Sequence, residues 1–164
     1  MTEKKTINDA FGGQLTTLEE QRRIWADALH EDAIWEGPMF ERPIVVIGRE
    51  ATSRFFELLL SVVPRFSTAV AGFYPTSDPS TIIIESHGGG PTVDGGRYTQ
   101  RYFSLVTSRD GRAFRMREYC NPFQTYKAFG KERWERATGE IMAKYNKPWP
   151  ASQAPDPIAL PPTV

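Results

Sequence analysis

Residues 98–119, with the sequence YTQRYFSLVTSRDGRAFRMREY, decide the fold. Two runs rich in β-branched and aromatic residues flank the pair Asp110-Gly111. An Asp-Gly pair between two such runs is a strong signal for a β-hairpin. The stretch therefore predicts two adjacent antiparallel strands, from Tyr98 to Thr107 and from Ala113 to Tyr119.

Two further strand-like runs precede this hairpin, Phe66 to Tyr74 and Thr81 to His87. The turn residues 77–79 separate them, and the run Gly-Gly-Gly-Pro at 88–91 is expected to form a flexible turn before the hairpin. The four runs together predict an antiparallel meander. Because this meander follows helices, the pattern favours an α+β fold over a parallel, doubly wound sheet.

Helices and short strands are predicted on both sides of the meander. On its N-terminal side, we expect a helix that is capped by Thr17 and stops at a turn over residues 30–32. Short strands at 33–36 and 44–47 and a helix at 51–63, ended by Pro64, follow it. On the C-terminal side, residues 123–129 and 131–145 are predicted to be helical, with Gly130 between them.

The chain of 164 residues has the length of one domain. Residues 1–17 are polar and are expected to be flexible, and residues 18–145 form the predicted domain. Prolines at positions 148, 150, 155, 157, 161 and 162 predict an extended tail over residues 146–164.

The composition narrows the classes of function. Twenty Lys and Arg residues balance twenty Asp and Glu residues, so the chain lacks the excess of positive charge that favours nucleic-acid or anionic-membrane binding. The one cysteine, Cys120, excludes an internal disulfide and a cysteine-based metal cluster. No signal peptide and no apolar run long enough to cross a bilayer is visible, which predicts a cytoplasmic protein.

Motifs for common cofactors are absent from the sequence. It contains neither a phosphate-binding loop nor a dinucleotide fingerprint. The two histidines, His30 and His87, lie in different segments, and a metal site at either one would need carboxylates to complete it. We therefore expect neither a metal nor an organic cofactor.

Glu118 is the leading candidate for a catalytic group. On the predicted strand it shares one face with Phe114, Met116 and Cys120, whereas the opposite face carries basic and aromatic residues. A carboxylate in line with apolar side chains is out of pattern for a solvated face. If this face lines a pocket, desolvation raises the pKa of Glu118 and makes it a usable acid or base near neutral pH. The alternative is an ion pair with an arginine across the sheet.

Other polar residues are weaker candidates. Tyr98, Gln100 and Tyr102 alternate on one strand, where a tyrosine hydroxyl can donate to a developing oxyanion or can simply be a packed ring with a solvated hydroxyl. His87 can transfer protons, but its place beside the glycine run favours an exposed strand end. Arg42 can reach a phenolate or carboxylate from the loop 39–43, although a solvated arginine is the alternative.

The apolar wall of a pocket is expected to come from aromatic residues that are apt for stacking on an aromatic substrate. Most of these residues also serve as ordinary core. The candidates for this wall are Trp25, Trp35, Phe40, Phe55 and Phe73, with Met116 beside Glu118.

Several of these segments resemble a known family. The stretches LHEDAIWE at 29–36 and GRE at 48–50, followed by Pro64, resemble the SnoaL-like branch of the nuclear transport factor 2-like superfamily. The stretches GRY at 96–98 and REYCNP at 117–122 are similar to the phenazine-biosynthesis A/B proteins within that branch. The resemblance covers residues 18 to 130.

This resemblance implies a cystatin-like fold, in which a strongly curved antiparallel sheet wraps around N-terminal helices as a cone with one deep pocket. The related enzymes include isomerases, dehydratases, cyclases and lyases that work without a cofactor, and some relatives only bind or assemble. The resemblance places the catalytic glutamate of the phenazine proteins at Glu118. It places Asp32 at the pocket mouth, although a turn role for Asp32 is the plainer interpretation. Their histidine on the central helix is replaced here by Phe55.

The sequence thus predicts a cofactor-independent lyase or isomerase of a small aromatic compound, in which Glu118 moves a proton and Tyr98, with Arg42 or His87, steadies the oxyanion. Loss of water or formaldehyde from a lignin-type diaryl alcohol is an example that comes from the resemblance alone. A phenazine- or polyketide-type condensation or cyclisation enzyme is the alternative, and a non-catalytic binding module is the third. The exposed sheet face with Phe103 is expected to pair two chains into a homodimer.

Overall fold

The computed structural model describes residues 13–14 and 18–150, with side chains from residue 22 onward. Helices precede and follow an antiparallel meander, as the sequence predicts. In chain order the elements are β1 (Gly13–Gln14), α1 (Leu18–Ala28), β2 (Leu29–Gly37), β3 (Ile44–Ile47), α2 (Arg49–Val62), β4 (Ser67–Pro75), β5 (Thr81–Pro91), β6 (Arg97–Arg109), β7 (Arg112–Cys120), α3 (Pro122–Phe129) and α4 (Lys131–Tyr145).

The strands of the described part form one curved sheet in the order β1-β4-β5-β6-β7-β2-β3. Strands β4 to β7 pair antiparallel in chain order, which confirms the predicted meander and the α+β class. Strand β2 runs parallel to β7, and β3 pairs antiparallel with β2. This parallel pair, which the sequence patterns did not predict, joins the N-terminal strands to the edge that carries Glu118.

The β6–β7 hairpin turns at the predicted Asp-Gly pair. Asp110 and Gly111 both have positive φ, at 52° and 72°, as a tight two-residue hairpin turn requires. An irregularity between Thr107 and Ser108 then shifts the register of the two strands. Because of this shift, the partner of Glu118 across the pair is Ser104.

The glycine run at 88–90 was predicted to form a turn, and this prediction is wrong, because the run continues strand β5. These glycines pair with residues of β6, where Gly89 lies opposite Thr99. A Cβ on Gly89 would stand 2.3 Å from the carbonyl oxygen of Tyr98, and one on Gly90 would stand 2.5 Å from that of Arg65. The glycines are therefore required by close backbone approach, and the chain reverses later, in residues 92–96.

Residues 30–32 were predicted to form a turn between a helix and a strand. This prediction is also wrong, because these residues belong to β2. Leu29 is fully buried and pairs with Ala113 of β7. The His30 ring packs edge-on against Phe114 at 5.3 Å. These contacts with β7 extend the strand through polar residues that would favour a turn in isolation.

The helices cover the inner face of the sheet. Helix α2 begins after Gly48, whose φ is 101°, and buries Ala51, Thr52 and Phe55 against the sheet. The side chain of Asn121 caps α3 by accepting a hydrogen bond from the backbone N–H of Phe123 at 3.0 Å. The main apolar core lies between these helices and strands β2 and β4 to β7.

The predicted flexible segment 1–17 and extended tail 146–164 lie mostly outside the described residues. Within them, Gly13–Gln14 pair with β4, and Asn146 and Lys147 follow α4 along β3. The division of the chain at residues 17 and 145 stays a prediction. Among the described residues, no helix is both long and apolar enough to cross a membrane.

Candidate functional site

A cavity of about 90 Å³ lies between the inner face of the sheet and the helices. Inward-facing residues of β4 to β7 form one wall, and α1, α2 and α4 contribute aromatic and aliphatic side chains to the other. The lining is predominantly apolar, as is typical of small-molecule sites. The lining residues are Trp25, Trp35, Phe40, Phe55, Phe56, Leu59, Leu60, Phe66, Thr68, Val70, Ile84, Ser86, Tyr98, Tyr102, Ser104, Val106, Met116, Glu118, Cys120, Thr125 and Trp134.

Among the described residues that line the cavity, Glu118 is the one with a carboxyl group. The residue keeps some exposed surface, but its carboxyl group is surrounded by protein. Burial raises its pKa to about 7, and the Ser104 hydroxyl, which donates to Oε2 at 3.4 Å, opposes that rise. The placement predicted for Glu118 on an apolar face is therefore found, and its pKa is raised in the predicted direction.

A second buried carboxylate, Glu36, forms an ion pair with arginines across the sheet, which was the alternative predicted for Glu118. Glu36 lies on β2 and accepts hydrogen bonds from Arg115 at 2.8 and 2.9 Å and from Arg117 at 3.3 Å. These arginines lie on the face of β7 opposite to Glu118. The cross-sheet ion pair that was the alternative for Glu118 is thus made by Glu36.

Two tyrosine hydroxyls lie in the same cavity. The hydroxyls of Tyr98 and Tyr102 are 3.1 Å apart, and that of Tyr98 is 3.4 Å from the Thr125 hydroxyl. Burial raises the pKa of Tyr98 to about 12 and that of Tyr102 well above its usual value. Both phenols therefore stay protonated near neutral pH and remain hydrogen-bond donors.

Cys120 follows Glu118 on the same face of β7 and also lines the cavity. Burial, and then the negative charge of Glu118, raises the pKa of its thiol. A thiol with a raised pKa is a poor nucleophile at neutral pH. Cys120 therefore acts in this cavity as a small, neutral side chain.

Aromatic rings form the end of the cavity near helices α2 and α4. Trp35 stacks on Phe55 with ring centroids 4.1 Å apart, and Trp134 lies 5.6 Å from Phe55 and 5.6 Å from Phe40. The structure brings most of the expected apolar wall together. The residues found there are Trp25, Trp35, Phe40, Phe55, Tyr102 and Met116.

Three polar candidates lie away from the cavity, which corrects their expected place in the site. Arg42 is exposed in the loop before β3. His87 is exposed on the outer face of β5, opposite Arg101 of β6. Asp32 forms an ion pair with Lys147 at 2.8 Å, which is the first cause of its lowered pKa.

Two further predicted site residues, one from the aromatic wall and one polar, also lie outside the cavity. Phe73 stands near the end of β4 and is 43% exposed. Gln100 is buried, but its amide bridges to Asn121, donating to the backbone oxygen at 2.8 Å and accepting from the backbone N–H at 3.1 Å. Gln100 therefore holds the junction between β7 and α3.

Several cavity residues were not among the predicted site residues, chiefly Ser104, Cys120, Thr125 and Trp134. Cys120 carried a usable signal, because it shares the period-two face of Glu118. Ser104 carried none, since its pairing depends on the irregularity near Thr107. Thr125 and Trp134 belong to C-terminal helices, and their approach to the sheet is set by tertiary packing.

The charge pattern of the cavity restricts what it can hold. Among the described lining residues there is no lysine, arginine or histidine. A carboxylate or phosphate ligand would therefore meet Glu118 without a countercharge. Among the described residues, no group of three or more His, Cys, Asp or Glu side chains is placed to hold a metal ion.

Comparisons with known proteins agree with this architecture. Residues 16–116 match the family model of the SnoaL-like domain. An uncharacterised PhzA/B-like protein of Pseudomonas aeruginosa is 36% identical over 120 residues, which cover 66% of this chain and 78% of that protein.

Solved structures share the fold. A phenazine biosynthesis-related protein from Pseudomonas aeruginosa matches with a TM-score of 0.61 and 19% identity, over 74% of this chain and 80% of that one. A nuclear transport factor 2-like protein from Burkholderia pseudomallei matches with a TM-score of 0.57 and 14% identity, over 68% and 87% of the two chains. At these identities the two structures show the fold alone, and they confirm the predicted fold class.

Proposed function

Because the chain belongs to the SnoaL-like family, we propose that it is a cofactor-independent acid/base enzyme, a lyase or an isomerase, that acts on a small aromatic compound in the cavity. The environment of Glu118 is the observation that carries this proposal. Its carboxyl group lies in an apolar cavity, and its pKa of about 7 makes both protonation states accessible at neutral pH. A general acid or base works best when its pKa lies near the working pH.

The reaction begins with the carboxylate form of Glu118, which removes a proton from a carbon next to a carbonyl group of the substrate. The electron pair of the broken C–H bond forms the C=C bond of an enolate, and the negative charge moves to the oxygen. A hydroxyl of the pair Tyr98 and Tyr102 donates a hydrogen bond to that oxygen, since both phenols stay protonated.

The second half of the reaction returns the proton. Glu118, now neutral, donates it to a different carbon of the enolate, which completes an isomerisation. Alternatively, it donates to a hydroxyl group that leaves as water, which completes an elimination. Both outcomes restore the carboxylate and need no oxidant, reductant or cofactor.

The size of the cavity favours a substrate with one ring. Its volume of about 90 Å³ is smaller than the roughly 150 Å³ of an engineered apolar cavity that holds benzene. A ring compound therefore enters only if the lining side chains shift, and a diaryl alcohol requires a larger shift than a one-ring compound. Loss of water or formaldehyde from a diaryl alcohol is thus the less favoured member of this reaction class.

A condensation or cyclisation enzyme of the phenazine or polyketide type is the second candidate. The 36% identity to a PhzA/B-like protein supports it. The central helix argues against the phenazine reaction itself, because the buried Phe55 stacks on Trp35 where the phenazine-type pattern has a histidine. The third candidate, a binding module without catalysis, keeps the cavity and leaves Glu118 without a role.

Deuterium exchange tests the proposal without knowledge of the natural substrate. Phenylacetone in D₂O carries C–H groups next to a carbonyl, and NMR follows their replacement by deuterium. We expect the wild type to accelerate exchange and Glu118→Gln to lose about 10²–10⁴-fold of that rate. Glu85→Gln is the matched control, since Glu85 lies on β5 and bonds to the Tyr74 hydroxyl outside the cavity. Equal rates in wild type and Glu118→Gln, with phenylacetone still bound, would favour the binding module.

A further inference from the structure

Phe73 lies in the same cross-strand row as Glu118, on the inner face of the sheet. It pairs with Ile84 of β5, Ile84 pairs with Ser104 of β6, and Ser104 pairs with Glu118 of β7. Directly paired residues of antiparallel strands point to the same face, and the other three members of the row all line the cavity. Three strand spacings amount to about 14 Å. Phe73 therefore continues the floor of the cavity, although it lies outside it.

The cavity opens on the side of β4, towards Phe73. The helices pack on β2, β3, β6 and β7, and no described residue of β4 is buried. Two side chains on this side, Leu59 of α2 and Val70 of β4, line the cavity and are only half-buried. Together with Ile84 and Phe73 they form an apolar strip, called the apolar track from here on, which leads from the cavity to the surface.

The exposure of Phe73 belongs to this opening and not to the outer face of the sheet. Phe73 is 43% exposed, whereas its neighbour Tyr74 points to the opposite face, where its hydroxyl donates to Glu85 at 2.9 Å. An exposed apolar ring beside a cavity is typical of a ligand-binding groove. The cavity of about 90 Å³ is too small for a whole ring compound unless side chains shift. A substrate seated at Glu118 can extend through the open side next to β4.

We propose that the substrate is an elongated ketone, whose carbonyl group lies at Glu118 and whose apolar chain follows the apolar track to Phe73. This inference names the substrate class of the same cavity, and it rests on the proposed function for the position of the carbonyl group. The chain is uncharged because none of the four residues of the track has a polar side chain. Phe73 is thus a specificity-determining residue that selects substrates by the length of this chain.

A homologous series of ketones tests the chain. Phenylacetone, 1-phenyl-2-hexanone and 1-phenyl-2-octanone carry a methyl, a butyl and a hexyl group on the carbonyl carbon. By calorimetry at pH 7, we expect each added CH₂ group to tighten binding about twofold, which is less than full burial would give because the track is partly exposed. The hexyl ketone should therefore bind about thirtyfold more tightly than phenylacetone. Equal affinities across the series would overturn the proposal.

Two matched variants locate the end of the chain. Phe73→Ser should bind phenylacetone within about twofold of the wild type and should reduce the gain for the hexyl ketone to about fivefold or less. Phe103→Ser is the control, because Phe103 is exposed to a similar extent, at 49%, and lies outside the cavity. It should keep the full gain. A full gain in Phe73→Ser, or an equal reduction in both variants, would overturn the role of Phe73.

A spectroscopic readout places the chain directly. In the complex with 1-phenyl-2-octanone, NMR should show nuclear Overhauser effects between the terminal methyl group and the ring protons of Phe73, which are assigned by the signals missing in Phe73→Ser. Their absence from a saturated complex would contradict the proposal.

Binding and deuterium exchange separate this inference from the proposed function on which it rests. Glu118→Gln should keep the gain with chain length and lose the exchange. In the wild type, a gain with chain length without any exchange would contradict only the catalytic role of Glu118. Exchange without a gain with chain length would contradict only the role of Phe73 and the apolar track.

Discussion

Oε2 of Glu118 lies 3.4 Å from the hydroxyl oxygen of its cross-strand partner Ser104. Burial raises the pKa of this carboxyl group more than the hydrogen bond from the serine lowers it. Glu118 therefore differs from the buried Glu36 on β2, which accepts hydrogen bonds from two arginines.

Glu118→Gln should stabilise the protein at alkaline pH. The pKa of Glu118 is raised from 4.5 to about 7 in the folded state, so folding disfavours the charged form. Stability is then lost as the pH rises from 4.5 to 7 and stays lower above it. By urea unfolding we expect the variant to exceed the wild type by about 1–3 kcal/mol at pH 8.5 and to match it near pH 4.5. A variant that is less stable than the wild type at pH 8.5 would show that the charge is well accommodated.

Glu36→Gln should act in the opposite direction. This change removes the carboxylate that accepts hydrogen bonds from Arg115 and Arg117 in a mostly buried ion pair. We expect a loss of about 3 kcal/mol in the free energy of unfolding at pH 8. Deuterium exchange in phenylacetone should stay within about twofold, since Glu36 lies outside the cavity. A large loss of exchange activity in a folded Glu36→Gln protein would place Glu36 in the reaction.

Ser104→Ala should move the pH dependence of the reaction. The Ser104 hydroxyl stabilises the carboxylate form and lowers the pKa of Glu118. Its removal raises that pKa further, so the rise of exchange rate with pH should occur at higher pH, with about a threefold lower rate at pH 7. Ser86→Ala is the matched control, because Ser86 lines the same cavity on β5. An identical shift in both variants would assign the effect to general polarity.

Phe103→Glu should disrupt a homodimer formed through the outer face of the sheet. On this face Phe103, Tyr74 and Tyr119 are 49%, 46% and 44% exposed, and an exposed apolar patch is typical of an interaction surface. We propose that a second copy of the chain covers it. Light scattering should show a dimer for the wild type and a monomer for Phe103→Glu. Even weak dimers form at a protein concentration of about 100 μM. A wild type that is still monomeric at that concentration would exclude a dimer through this face.

The hairpin at Asp110-Gly111 was predictable because both residues adopt positive φ, which few residue pairs favour. The alternation along β7 was equally local, and it placed Glu118 on the cavity wall. In contrast, the glycines at 88–90 suggested a turn, whereas close approach of Tyr98 and Arg65 requires them. This close approach depends on the tertiary packing of separate chain segments, so a local sequence pattern does not predict it.

The register of strands β6 and β7 is a second feature that the sequence pattern did not predict. Counting outward from Asp110-Gly111 pairs Arg109 with Arg112 and then Ser104 with Arg117, whereas the irregularity near Thr107 pairs Ser104 with Glu118. A single inserted position thus changes which residue meets the catalytic candidate. The same limit hid Trp134, because the packing of α4 against the sheet decides its place.

The ionisation of Glu118 itself tests the central claim most directly. Carbon-13 NMR of the side-chain carboxyl, assigned by the signal missing in Glu118→Gln, gives the midpoint of its titration. We predict a midpoint near pH 7, matched by a rise of the deuterium-exchange rate through the same pH as the base becomes ionised. A midpoint near 4.5, or an exchange rate that does not follow this titration, would contradict the account.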